Sequence, residues 1–182
     1  MDAQHHTEQV TPPPNPWTVS DVEAILREQG WLIGDALPEH LAWCDRAAAL
    51  LGPHATDRAA LTALLELVFR YDAAQLVAQV ESHAALSRYA ARDVLRETGR
   101  LLLGYSTLDS EHFKEIVTLL KERLELTGRE ILMPIRLALA GRLGEGELDR
   151  VILLLDPAAA LAWAASVKNT RTRIVEFCAA LD

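Results

Sequence analysis

The sequence predicts an all-α, two-lobed helical bundle, and three observations predict it. Apolar residues recur at three- and four-residue steps along most of the chain, which is the period of a helix with one buried face. Alternating two-residue periodicity, the mark of a half-buried strand, is nowhere sustained. Half of the 182 residues are hydrophobic, enough for a core that needs neither disulfide nor metal staples. A glycine-containing polar link between Tyr105 and Asp109 joins two strongly periodic helices and divides the bundle. The expected organisation is a tail over residues 1–16, one helical subdomain over 17–106 and a second over 107–182.

The tail holds His5, His6 and a Pro12-Pro13-Pro14 run, with too few apolar groups to offset the entropy of ordering them. Ser20 followed by Glu23 predicts a capping box for the first helix, which Gly30 ends. A second helix is expected over Pro38–Leu51, stopped by Gly52-Pro53. Asp57 caps a third over residues 58–70, where Leu61, Leu64, Leu65, Val68 and Phe69 share one face. A short helix over 73–80 precedes one long helix over 83–103, perturbed at Gly99 and ended at Gly104.

Leu108-Asp109 starts a helix over residues 110–126. Pro134 is expected in the first turn of the next, where a missing amide hydrogen has no partner to lose, and this helix ends near Gly141. Leu148, Val151, Ile152 and Leu155 suit another short helix. Pro157 opens an alanine-rich stretch to Val167, and residues 169–173 form a polar break before a last helix through Leu181.

Charge narrows the function. The net charge is −8, and all of it lies in the first 85 residues, which carry four basic and 12 acidic side chains against 14 of each in the remainder. Long-range steering therefore opposes a polyanion on the front part, and any nucleic-acid contact belongs after Leu86. Cys44 and Cys178 have no metal-type or CxxC spacing and read as reduced thiols. With no basic, apolar-cored leader and no apolar run approaching the roughly 20 residues of a membrane span, a cytoplasmic address without membrane attachment is expected.

No glycine-rich phosphate loop, GxSxG, HExxH, Cys/His metal set or EF-hand loop is present, so neither an enzyme nor a cofactor is expected. His40 and Cys44 would share a helix face, as two metal ligands, too few for a structural zinc site, or as a thiol beside a base, and an ordinary helix surface and core is the expected reading. Arg88, Arg92, Arg96 and Arg100 stand at constant four-residue spacing. Like charges so placed repel by roughly 0.2–0.5 kcal/mol per pair. Either Asp93 and Glu97 neutralise them on a solvated face, or the stripe faces RNA.

Residues 129–148 resemble the last subdomain of the anticodon-binding region of bacterial glutamyl-tRNA synthetases. The family pattern is approximately Pro-Leu-Arg-x-Ala-Leu-Thr-Gly, a short loop, and a leucine that opens the next helix. Pro134, Arg136, Ala138, Leu139, Gly141 and Leu148 stand in matching places, and Phe113 takes the position of the family's usual tryptophan. The resemblance implies a tRNA partner, with Arg136 reaching an anticodon base and Leu148 packing beside the loop, a mode suited to unstacked RNA bases. Arg142 and the stripe of Arg88, Arg92, Arg96 and Arg100 complete the expected RNA-binding set.

Three departures bear on that expectation. Ala140 replaces a threonine, Gly146-Glu147 replaces Gly-Pro, and Asp156-Pro157-Ala158 replaces residues that are commonly basic. The chain has neither HIGH-like nor KMSKS-like motifs, so glutamate activation is not expected of it. Two functions remain open: a free-standing, non-catalytic tRNA-binding protein, accessory to a synthetase or a tRNA-dependent regulator, or a helical scaffold reused for interaction with another protein. Oligomeric state has no signature in the sequence.

Overall fold

The computed structural model describes residues 15–182, and every regular element among them is helical: ten α-helices and one 3-10 turn. Most of the expected tail, including His5 and His6, lies outside the described residues. Its end is anchored, since Asn15 donates its side-chain amide to the Ala48 carbonyl at 2.8 Å.

Helix α1 (Val19–Glu28) has its cap at Thr18, two residues before the predicted Ser20. Thr18 and Asp21 form the capping box, with the Thr18 amide donating to the Asp21 carboxylate at 2.8 Å. Ser20 and Glu23 are inside the helix, where Glu23 pairs with Arg27 at 3.0 Å. Helices α2 (Pro38–Leu51) and α3 (Arg58–Phe69) follow the apolar period, and Asp57 caps α3 as expected.

Helix α4 (Ala73–Ala78) leads into the main departure from the sequence reading. The single helix expected over 83–103 is two, α5 (Val80–Leu86) and α6 (Ala91–Leu102). Ala90, at φ +61°, occupies the left-handed region and turns the chain between them. Arg88 is consequently in the turn, and only Arg92, Arg96 and Arg100 remain in register on α6.

Helix α7 (Ser110–Leu124) is capped by Asp109. Helix α8 (Gly128–Ala140) begins earlier than predicted, because Thr127 and Glu130 make a second capping box. Pro134 is thus inside the helix and forfeits an amide bond to Glu130. Pro157 is likewise internal to α9 (Gly146–Ala159), which is longer than the short helix expected there. Asn169 caps α10 (Thr170–Leu181), so the polar segment 169–173 is the start of the last helix.

The helices pack across the expected division at residues 106 and 107. Helix α9 lies on α2 and α3, and α10 lies on α4 and α6, so the buried side chains form one contiguous core. Trp31 stacks on Phe69 with ring centroids 4.7 Å apart, while Trp43 and Trp163 meet Phe69 edge-on.

Two polar groups tie the late helices into this core. Asp156 accepts the Leu108 amide at 2.7 Å and the Thr170 amide at 2.8 Å, joining the link before α7 to the start of α10. Arg173, with no exposed surface, donates to the carbonyls of Leu67, Val68, Leu139 and Lys168 at 2.8–2.9 Å. Leu67, Val68 and Leu139 belong to the last turns of α3 and α8, the negative ends of both helix dipoles, so carbonyls compensate this buried cation, which makes no salt bridge among the described residues. Burial holds its pKa down at about 10, and the ring of Tyr71 lies 4.6 Å from it.

Candidate nucleic-acid interface

The segment that carries the family resemblance forms the α8–α9 corner. Gly141, at φ +87°, ends α8 with its amide on the Leu137 carbonyl, a conformation that a side chain would strain. The chain then re-enters helix at Gly146, two residues before Leu148.

Arg136 points into this corner and is 9% exposed. Its Nε and Nη2 donate to the two carboxylate oxygens of Asp149 at 2.8 and 2.9 Å, a bidentate pair. The hydrogen bond to Asp149 pushes the Arg136 guanidinium above its already high ordinary pKa. Glu145 approaches it at 3.6 Å, and Arg142 stands 3.7 Å from Glu147 at the rim. Leu148 is fully covered. Both expected readers are thus covered at this corner, Arg136 nearly so and Leu148 completely, whereas Arg142 is half-exposed.

Beside this corner a cleft of about 540 Å³ opens between α7, α9 and the 3-10 turn Gly52–His54. Lys114 and Lys121 come from α7, Arg150 from α9 and His54 from the turn, around an apolar floor that includes Val117 and Leu132. Asp149 reaches the same cleft, but its charge is matched by Arg136. The arrangement can place phosphates against the cations and a base on the floor. None of these four basic residues was singled out in the sequence. The seven-residue interval from Lys114 to Lys121 was the available signal, since it puts both on one face two turns apart; Arg150 and His54 join them only through the fold.

The arginines expected as a stripe divide. Arg88, Arg92 and Arg96 line a second cleft of about 620 Å³, whereas Arg100 turns to Glu97 at 2.8 Å. Glu97 also receives Arg123 from α7 at 3.4 Å. The salt-bridged reading thus describes Arg100, and the three others remain open to solvent.

His40 and Cys44 do not form a reactive pair. The His40 Nδ1 accepts the Leu37 amide at 3.1 Å, which leaves Nε2 to donate to the Ala162 carbonyl at 2.7 Å. Burial pushes the Cys44 thiol up to about 12, far from a thiolate at neutral pH.

The corner and its basic cleft thus sit in an all-helical domain that has one continuous core. A family model described as an anticodon binding domain matches residues 16–162, about four-fifths of the chain, and the protein belongs to that family. No curated protein and no solved structure gives a significant match. Among the described residues no helix is long and apolar enough to cross a membrane.

Proposed function

We propose that this domain binds tRNA at the anticodon loop as a non-catalytic module of accessory or regulatory kind. The observation that supports this most is the basic cleft beside the α8–α9 corner, within the family match. Lys114, Lys121 and Arg150 neutralise loop phosphates, and a base settles on Val117 and Leu132. Arg136 and Leu148 form the wall: the bidentate pair fixes α9 against α8, and Arg142 meets a phosphate at the rim. Filter binding of total tRNA at low salt tests this. Lys114→Glu with Lys121→Glu is expected to weaken binding by roughly tenfold or more. An unaffected double variant, or a wild type that binds no tRNA, sinks the reading.

One observation favours a protein-binding scaffold instead. Glu145 and Glu147 flank the place where the resemblance puts the base, and Asp149 occupies the guanidinium meant to read it. Under that reading the charge-reversed protein keeps its partner and wild type binds no RNA.

A further inference from the structure

The cleft between α5, α6 and the end of α10 gathers three guanidinium groups that make no salt bridge among the described residues. Arg88, Arg92 and Arg96 line it together with His83, and Asp93 is the only carboxylate residue among the described residues that line it. All three arginines are exposed, and none makes a salt bridge among the described residues. Arg92 has one contact, a 3.3 Å hydrogen bond to the Leu181 carbonyl, and Asp182 shares a smaller adjoining cavity with Arg92 and Arg96.

The turn that builds the cleft also presents an aromatic ring. With Ala90 left-handed, Arg88 lies in the turn before α6, and Tyr89 beside it is 88% exposed. Tyr89 and Arg88 line a neighbouring cavity with Glu130 and Met133 of α8, so cation and ring share one cavity wall, which also carries the Glu130 carboxylate. Three guanidinium groups without a salt bridge on one concave wall repel one another, Asp93 offsets only part of their charge, and guanidinium suits phosphate oxygens. An exposed ring next to them is a stacking platform for any base.

We infer that this cleft is a second RNA contact, separate from the basic cleft at α7 and α9: backbone phosphates bind Arg88, Arg92 and Arg96, and a neighbouring unpaired base stacks on Tyr89. The inference rests on the tRNA-binding reading above and adds that the partner extends beyond its anticodon stem-loop.

Fluorescence anisotropy on the full chain, with a complete tRNA and with its isolated anticodon stem-loop, separates the two claims. The variants are Arg88→Gln with Arg92→Gln and Arg96→Gln together, and Tyr89→Ala alone; all four side chains are exposed, and circular dichroism verifies the fold. The triple variant is expected to weaken complete tRNA about tenfold and Tyr89→Ala about fivefold, with stem-loop affinity unchanged. Equal weakening of both RNAs overturns the second site and assigns the arginines to the anticodon loop. Unchanged affinity for complete tRNA overturns it while leaving the anticodon reading intact. A wild type that binds neither RNA overturns both.

Discussion

Arg173 shows how far a residue's role can lie from its sequence neighbourhood. Preceded by Arg171 and Thr172 in a polar segment, it gave no sign of burial, yet the core closes around it and four carbonyls receive it. Arg173→Ala leaves those carbonyls in an apolar core without their donor, and a loss of about 3 kcal/mol or more in urea unfolding is expected. Arg173→Lys keeps the charge but cannot spread donors over four acceptors, so only part of the stability returns. Equal stability of the alanine variant and wild type would contradict this account. Arg136 was legible as a site residue because a motif surrounds it. Its partner was less so, since Asp149 is thirteen positions away on the next helix.

At the scale of elements, the apolar period located the helices and the caps set their limits. The α2 and α3 predictions hold because proline, glycine and aspartate mark their ends. The break between α5 and α6 was invisible for the opposite reason: residues 87–90, Ser-Arg-Tyr-Ala, contain no glycine or proline, and tertiary packing imposes the left-handed Ala90. The start of α8 was readable, since Thr127 and Glu130 have capping-box spacing, but Pro134 drew the prediction later. That box also carries a pH dependence. The Thr127 amide, and then its hydroxyl, hold the Glu130 carboxyl below its ordinary 4.5. A carboxyl lowered in the folded state adds stability that is complete above 4.5 and disappears as pH falls through its folded value. Glu130→Gln cannot gain or lose this charge. The melting temperature of wild type should therefore exceed that of the variant at pH 7, with the gap closing as pH drops below 4.5. A gap independent of pH would contradict the assignment.

For the whole molecule, the family match ends at residue 162, but the fold does not. Helix α10 supplies Arg173 and Phe177 to the core, and Asp156 links it to the start of α7, so the late helices brace the elements that line the basic cleft. The charge asymmetry read from the sequence has a spatial outcome: three of the four basic groups of the cleft, and the three open arginines of α6 and its turn, come from the neutral second part. An acidic protein can bind RNA if such positive surfaces are local, and the binding must then depend steeply on salt. The most direct measurement of the central claim is therefore the affinity for tRNA as a function of salt concentration, in wild type and in the Lys114→Glu, Lys121→Glu protein. The account predicts a linear fall of log affinity with log salt in wild type, and a slope shallower by about 2 in the double variant, about one unit per lysine lost. Equal slopes in the two proteins, or no binding at low salt, would contradict it.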